Sequence, residues 1–248
     1  MNQMHISRFP KLDYACNEAL NTLCTNLSYC GDDIRTVLFT SRYEQEGKSS
    51  IAINVMRTLA GFGKRVVLVD ADLRCSTLAR RYRFVFTHRD AAGLAQYLAG
   101  MCELDDAIYE TNLPNAYIVP AGREVLSSLQ LLTSPRYREM MEILRDHFDV
   151  ILVDTPPAGV IVDAVEIAKY CDGAIIVVAY NQGRKQDIGE VASNITKTGC
   201  RVLGAVMNGV DLGAFQNRKY YYRSERYSSY YRRYAKDESS EGGKAAKK

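Results

Sequence analysis

The 248-residue chain contains no tryptophan, three histidines and six prolines, and its longest apolar run is the seven-residue segment Ala174–Tyr180. A helix needs about 20 apolar residues to cross a bilayer, so the sequence predicts no membrane span. The first residues, MNQMHISRFPKLDY, also lack the apolar segment of a secretory signal peptide. These absences argue against an integral membrane protein, and we expect a chain that reaches a membrane only if another protein holds it there.

The seven cysteines form no CxxC pair and no cluster with histidine. An odd number of cysteines without such spacing argues against a disulfide framework, and the missing Cys/His pattern argues against a zinc site. Free thiols of this kind are typical of a reducing cytoplasm, which is where we expect the protein.

The composition is that of an ordinary globular chain, with 47% hydrophobic and 25% charged residues, which excludes wholesale disorder. The net charge of +3 is unevenly distributed. Residues 216–248 carry ten Lys/Arg against four Asp/Glu, whereas residues 1–215 carry 22 against 25. The body is therefore slightly acidic and the C-terminal tail strongly basic.

Short β-branched runs alternate with helical patterns along most of the chain. The runs are continuous, which is typical of parallel strands buried on both faces. They are Val37–Thr40, Val66–Val69, Ala116–Val119, Val150–Val153, Ala174–Val178 and Val202–Met207. Helices are predicted at Tyr14–Leu27, Ser50–Ala60, Ser134–His147, Asp163–Tyr170 and Asp187–Lys197. This order predicts an α/β fold with a doubly wound, mostly parallel sheet flanked by helices.

Three regions follow from these patterns. Residues 1–34 form an N-terminal helical segment, residues 35–212 form the sheet domain, and residues 213–248 form a flexible, basic, tyrosine-rich tail. The end of the tail, KDESSEGGKAAKK, has no apolar anchor, so we expect it to be disordered.

The strand Val37–Thr40 leads through SRYEQEGKSS into a helix. In a strand, loop and helix of this kind, loop amides and the helix N-terminus bind phosphate oxygens. Gly47 allows close approach of the backbone, Lys48 can reach the β- and γ-phosphates, and Ser49 can bind Mg²⁺. The strict pattern GxxxxGK[ST] fails because its first position is Arg42. A helix that happens to begin with Gly-Lys-Ser is therefore the alternative.

Aspartates follow two of the buried runs, Asp70 and Asp72 after one and Asp154 after another. The carboxyl ends of parallel strands border one crevice, so these carboxylates should meet the phosphate loop there. Clustered carboxylates repel one another unless a cation such as Mg²⁺ lies between them. Each aspartate taken singly could instead cap the turn after its strand. Together with the upstream Gly-Lys-Ser, they favour a site for a metal-bound triphosphate.

The sequence resembles the bacterial tyrosine kinases of capsule and exopolysaccharide synthesis, P-loop proteins related to the MinD/ParA-type ATPases. The resemblance spans about residues 14–234. It rests on TSRYEQEGKSS as Walker A, VVLVDADLR as Walker A′, VILVDTPP as Walker B and the tyrosine-rich C-terminus. MinD/ParA relatives normally carry a second lysine early in the loop, where this chain reads Arg42-Tyr43-Glu44.

The resemblance implies a kinase that uses ATP and Mg²⁺ to phosphorylate its own tyrosines. Lys48 would bind phosphate and Ser49 the metal, and Asp70, near the metal, would activate the incoming tyrosine hydroxyl. Asp72 and Asp154 would be magnesium-associated carboxylates, with Asp72 also contributing to catalysis. The other residues assigned to the nucleotide are Glu46, Gly47, Ser50 and Asn208, the last beside the adenine.

Two departures from the family pattern bear on activity and assembly. The family often has Pro-Gly before Glu-Gly-Lys, where this chain has Glu44-Gln45, and losing the flexible glycine is expected to slow loop closure. The N-terminal ExxRxxR motif, linked to ring-like self-association, is replaced by Glu18, Asn21 and Cys24. Both arginines are absent, so the sequence does not decide whether this chain forms the ring-like oligomer typical of the family.

Residues 220–234 read YYYRSERYSSYYRRY, without helical or strand periodicity. The resemblance implies that the tyrosines are phosphate acceptors presented in trans to a neighbouring copy, and each phosphate would add about −1.5 to −2 charges. The acceptors would be Tyr220, Tyr221, Tyr222, Tyr227, Tyr230, Tyr231 and Tyr234. Two alternatives stay open for this segment: stacking on single-stranded nucleic acid and attraction to an anionic membrane.

The resemblance also implies partners. A separate transmembrane activator, a polysaccharide co-polymerase, would recruit the kinase to the inner face of the plasma membrane, and a cognate tyrosine phosphatase would reverse the reaction. Residues 1–34 would serve self-association or activator binding. We expect a homo-oligomer and no nucleic acid. The alternative functions are a nucleotide-switched ATPase scaffold like MinD/ParA and a nucleic-acid-binding module with a degenerate nucleotide site.

Overall fold

Nine strands and nine helices make up the part of the chain that the computed structural model describes, residues 2–88, 91–125, 127–182 and 184–210. The strands are β1 (Asn2–Ile6), β2 (Thr36–Ser41), β3 (Val66–Asp70), β4 (Phe84–Phe86), β5 (Tyr109–Glu110), β6 (Ala116–Val119), β7 (Val150–Asp154), β8 (Gly173–Ala179) and β9 (Arg201–Asn208). The helices are α1 (Tyr14–Ser28), α2 (Lys48–Gly61), α3 (Leu78–Tyr82), α4 (Leu94–Leu98), α5 (Leu104–Ala107), α6 (Ser128–Leu132), α7 (Pro135–His147), α8 (Asp163–Ala168) and α9 (Lys185–Thr196).

All the strands belong to one sheet, in the order β4-β1-β5-β6-β3-β7-β2-β8-β9. From β6 to β9 every neighbouring pair is parallel. The central strands β2 and β3 are buried at every residue, as their unbroken apolar runs predict. The predicted doubly wound, mostly parallel α/β fold is confirmed.

Helices cover both faces of the sheet. Successive residues of β2 point into different layers, because side chains alternate along a strand. Phe39 packs in a core with Ile53 and Met56 of α2, together with residues of α1 and α3. Leu38 packs in the opposite core with Leu144 of α7 and residues of α4, α5, α6, α8 and α9. No helix in the described part of the chain is both long and apolar enough to span a membrane.

The N-terminal segment contributes a strand as well as the predicted helix. Helix α1 begins after Asp13, whose carboxylate accepts the N–H of Cys16 at 2.7 Å. Strand β1 pairs antiparallel with β4 and parallel with β5. The sequence predicts none of these three strands, because runs of two to five residues are too short to show a period. The segment assigned to residues 1–34 is thus integrated into the sheet assigned to residues 35–212.

Gly93, just before α4, lies where two backbone segments approach each other. A Cβ on Gly93 would be 2.5 Å from both Cα and N of Gly122 and 2.6 Å from the carbonyl oxygen of Pro120. Gly189 in α9 provides a contrast, because a Cβ there would meet nothing within 4 Å.

We expect Gly93→Ala to lower the free energy of unfolding by about 2–4 kcal/mol, because two backbone segments must move apart. The matched variant Gly189→Ala should raise it by about 0.5–1 kcal/mol, because alanine is the better helix former. Denaturant unfolding followed by circular dichroism measures both. Equal unfolding free energies for wild type and Gly93→Ala would contradict the close approach.

Candidate active site

Residues 42–47 connect β2 to α2, and Glu46 holds this loop in shape. Glu46 is 1% exposed. Its carboxylate accepts the N–H of Tyr43 at 2.8 Å and the N–H of Ala179, at the end of β8, at 3.3 Å. Nδ2 of Asn208, at the end of β9, donates to the carbonyl oxygen of Glu46 at 3.0 Å. The loop is therefore attached to the ends of two neighbouring strands.

Two loop residues adopt a left-handed backbone conformation. Gly47 has a φ of +92°, and a Cβ there would lie 1.9 Å from Nδ2 of Asn208. Gln45 has a φ of 62°, a conformation that costs a residue with a Cβ about 1–2 kcal/mol. The glutamine thus adopts a conformation that a glycine would adopt without strain.

Lys48 lies in the first turn of α2 and meets the aspartates. Its Nζ is 3.3 Å from Oδ2 of Asp72, 3.9 Å from Oδ1 of Asp154 and 3.4 Å from Oγ of Ser49. The Lys48 side chain is 13% exposed. The structure therefore brings the phosphate loop and the carboxylates that follow β3 and β7 into one site.

Asp70 and Asp154 end adjacent parallel strands and are partners in the sheet register. Each is 1% exposed. Oδ2 of Asp70 accepts a hydrogen bond from Oγ of Ser76, and Oδ1 of Asp72 accepts the N–H of Cys75 at 3.1 Å. Oδ1 of Asp70 and Oδ1 of Asp154 accept no hydrogen bond from the described residues. Two buried carboxylate oxygens at the ends of these strands are thus without a hydrogen-bond donor among the described residues.

Burial dominates the electrostatics of these groups. It raises the pKa of Asp70 from 3.8 to about 8, and the neighbouring Asp154 carboxylate adds to the shift. Burial also raises the pKa of Asp154 to about 6, against the opposing effect of Lys48. For Lys48 itself, burial acts to lower the pKa, but the carboxylates outweigh it and the pKa lies above its ordinary value. Three carboxylates facing one ammonium leave the site short of positive charge.

The residues fit a magnesium ion bound together with phosphate. Carboxylate oxygens are hard ligands, and Mg²⁺ normally takes one or two of them plus phosphate oxygens and water. Across the described ranges, no three His, Cys, Asp or Glu side chains form a metal-binding cluster by themselves. The donor set nearest Lys48 comprises Ser49, Asp70, Asp72 and Asp154.

An arginine–aspartate pair that the sequence does not single out fixes the segment after Asp72. Nε and Nη2 of Arg74 donate to the fully buried carboxylate of Asp163 at 2.9 and 3.0 Å, and Oγ of Ser128 donates to it at 2.8 Å. Arg74 lines a cavity of about 170 Å³ with Lys48 and Asp72. Asp163 lies in α8 and Ser128 in α6, both far along the chain from Arg74, so no local motif reveals the pair.

Known proteins are similar to this chain in sequence and in fold. A family model described as an AAA domain matches residues 44–202. The tyrosine-protein kinase CpsD of Streptococcus pneumoniae serotype 4 is 35% identical over 196 residues, which cover 79% of this chain and 85% of the relative. The chain belongs to the bacterial tyrosine kinases. The family resemblance inferred from the Walker motifs is thereby confirmed.

Solved structures place this kinase among MinD-type P-loop proteins. The VpsO kinase domain is 28% identical, has a TM-score of 0.72, and matches over 79% of this chain and 95% of its own. MinD of Pyrococcus horikoshii, solved with Mg-ADP, is 26% identical with a TM-score of 0.61, over 74% of this chain and 76% of its own. The kinase and the ATPase thus share one architecture.

The remaining predicted residues of the kinase have different surroundings. Ser49 is 8% exposed beside Lys48. Oγ of Ser50 accepts from Nη1 of Arg81 at 2.6 Å. The carboxylate of Glu46 accepts hydrogen bonds from two backbone N–H groups, so its side chain holds the loop rather than facing a ligand. The predicted acceptors, Tyr220, Tyr221, Tyr222, Tyr227, Tyr230, Tyr231 and Tyr234, lie outside the described residues.

The position of the second missing arginine in ExxRxxR is part of the core in this kinase. Cys24 is 1% exposed and its Sγ lies 4.0 Å from the carbonyl oxygen of Val55 in α2. Nδ2 of Asn21 donates to Oε1 of Glu18 at 3.0 Å within the same helix. An interface that uses a charged side chain at position 24 is therefore not available to this chain.

Asp70 should make the metal-free kinase less stable as the pH rises. Its folded-state pKa, about 8, exceeds the ordinary value of 3.8, so between these values the folded state retains a proton that the unfolded state has lost. In EDTA, we expect the free energy of unfolding to fall by about 1–2 kcal/mol from about pH 6.5 to 8, above the pKa of about 6 of the neighbouring Asp154, and Asp70→Asn to flatten that fall. Thermal unfolding across the range measures both. The exposed Asp32→Asn is the control, and a slope that survives Asp70→Asn would contradict the assignment.

The conformation of Gln45 should matter for nucleotide binding. Because a β-branched residue fits a φ of 62° poorly, Gln45→Val should weaken binding of a fluorescent ATP analogue by about 5–10-fold. Gln45→Gly fits without strain and should stay within about twofold of wild type. Equal affinities for the three proteins would mean that the bound loop does not need this conformation.

Proposed function

We propose that the chain is an ATP-dependent, autophosphorylating tyrosine kinase that acts in capsule or exopolysaccharide synthesis. The observation that carries this proposal is the meeting of Lys48 with Asp72 and Asp154 beside carboxylate oxygens that lack donors. A loop, a lysine, a metal-binding set and a carboxylate near the acceptor are the parts that phosphoryl transfer requires.

The phosphates of ATP would lie at the N-terminus of α2, which begins at Lys48. There the loop amides and the helix dipole favour anions. The ammonium of Lys48 would stabilise the charge that spreads onto the γ-phosphoryl oxygens. Ser49, Asp72 and Asp154 would hold Mg²⁺, which when bound neutralises phosphate charge. Asn208 would lie beside the adenine, and Ser50 and the backbone of Glu46 and Gly47 would complete the nucleotide contacts.

Asp70 would act on the acceptor. As the tyrosine oxygen bonds to the γ-phosphorus and the bond to the β-phosphate oxygen breaks, the phenolic proton would pass to Oδ1 of Asp70. That oxygen has no donor among the described residues. Burial raises the pKa of Asp70 to about 8 in the metal-free site, and a bound Mg²⁺ would favour the ionised carboxylate that accepts this proton, because a nearby cation lowers a carboxyl pKa.

The acceptors would be the seven tyrosines of residues 220–234, presented in trans by a neighbouring copy in a homo-oligomer. A separate transmembrane activator would hold the cytoplasmic kinase at the inner face of the plasma membrane, and a tyrosine phosphatase would reset the tail. We expect no nucleic-acid ligand. The likeness to MinD favours one other candidate, an ATPase scaffold without kinase activity.

Mass spectrometry of the tail after incubation with Mg-ATP tests the proposal. Phosphotyrosine should accumulate in wild type and fall by about 100-fold or more in Lys48→Met, because the ammonium group that stabilises the charge on the γ-phosphoryl oxygens is lost. Lys64→Met removes an exposed lysine outside the site and should leave the yield unchanged. The reaction is run at high protein concentration to favour encounters in trans. ATP hydrolysis without phosphotyrosine would support the scaffold instead.

A further inference from the structure

A groove of about 1120 Å³ lies beside the catalytic cavity, between α1, α2, α3 and the end of β9. Its walls are largely apolar and include Leu20, Leu23, Ile51, Val206 and Met207. Met207 is 59% exposed. An apolar surface of this extent on a folded protein usually marks a binding site.

The charged side chains on this groove all have one sign. Among the described residues that line it there are three arginines, Arg8, Arg80 and Arg81, and no aspartate or glutamate. All three arginines are exposed. Arginine recognises phosphate through paired N–H groups. The groove therefore fits a ligand that has an apolar body and an anionic end.

The described part of the chain ends in this groove. Gly209 and Val210, the last described residues, are part of its lining. Tyr220 follows ten residues later, and ten residues span at most about 36 Å, so the first tyrosines begin within reach. Residues 216–248 carry a net charge of +6 before modification, which the arginines repel. Each tyrosine phosphate brings about −1.5 to −2 charges and reverses that interaction locally.

We propose that the groove binds the kinase's own tail in cis once a tyrosine among residues 220–222 carries a phosphate. The aromatic ring lies against the apolar wall, and the phosphate lies against Arg8 and Arg80. This proposal rests on the proposed function, because autophosphorylation supplies the phosphate.

Such docking would limit further phosphorylation. Thr77 and Arg81 line both the groove and the catalytic cavity. A docked tail is therefore held beside the nucleotide site of its own copy and withdrawn from the active site of a neighbour. Phosphorylation of the first tyrosines would then reduce transfer to the later ones.

Peptide binding tests the groove independently of the kinase activity. The receptor is the full chain with Lys48→Met, and the probes are fluorescent peptides of residues 211–226. One peptide is unmodified, one carries phosphotyrosine at positions 221 and 222, and one carries phosphoserine there. The phosphotyrosine peptide should bind at least about tenfold more tightly than the unmodified one, and the phosphoserine peptide should fall between them. Added salt should weaken the phosphopeptide complexes.

Charge-reversal variants distinguish binding in the groove from nonspecific electrostatic attraction to the protein surface. Arg8→Glu combined with Arg80→Glu should weaken the phosphotyrosine peptide by at least about tenfold. Arg138→Glu, on the exposed face of α7 outside the groove, should change its affinity by less than about twofold. Circular dichroism verifies that the variants are folded.

Several results would overturn the assignment. Equal affinity of the unmodified and phosphotyrosine peptides would mean that residues 211–219 fill the groove without phosphate. Equal affinity of phosphotyrosine and phosphoserine peptides would mean that binding depends on charge alone and that the aromatic ring does not contact the apolar wall. Arginine-dependent binding to phosphatidylserine vesicles, with no phosphopeptide binding, would make the groove a membrane contact. Phosphopeptide binding to the groove, together with a wild-type chain that makes no phosphotyrosine with Mg-ATP, would retain the groove and reject the proposed function.

Discussion

The buried contact between Lys48 and the aspartates at the ends of β3 and β7 is the constraint on which the site depends. Asp70 and Asp154 are almost fully buried, and they lie side by side on adjacent strands of the sheet. Burial and mutual repulsion raise the pKa of Asp70, and Lys48 compensates only part of the negative charge. The described site thus carries more negative than positive charge, and we expect a cation to bind there together with the nucleotide.

Anchoring of the phosphate loop explains how such a site keeps its shape. Glu46 links the loop to β8, and Asn208 links it to β9, so two strand ends hold the backbone that faces the phosphates. On the other side, the Arg74–Asp163 pair attaches the segment after Asp72 to α8. Both anchors use carboxylates that are already hydrogen-bonded within the protein, so the carboxylates left for the proposed metal are those of the aspartates near Lys48.

The kinase shares its architecture with MinD, and one departure noted in the sequence lies in the phosphate loop. Where MinD/ParA proteins have an early lysine, Nη1 of Arg42 donates to the carbonyl oxygen of Gly159 at 3.3 Å and pairs with Glu190 of α9 at 3.2 Å. Its guanidinium is thereby directed toward the helix layer. The departure at Cys24, which is buried against α2, likewise changes a residue linked to ring assembly into a core residue.

Sequence alone determined the sheet strands with unbroken β-branched runs, the longer helices and the meeting of the Gly-Lys-Ser loop with the aspartates at the strand ends. These features follow from three local patterns: continuous β-branched runs, a Gly-Lys-Ser loop and aspartates at strand ends. Each pattern is contained within about ten consecutive residues. Only the tertiary structure decided the integration of β1, the Arg74–Asp163 pair and the arginine-lined groove where the described chain ends. Each of these depends on residues that are distant in the chain and come together only when the helices pack on the sheet, so no local pattern records them.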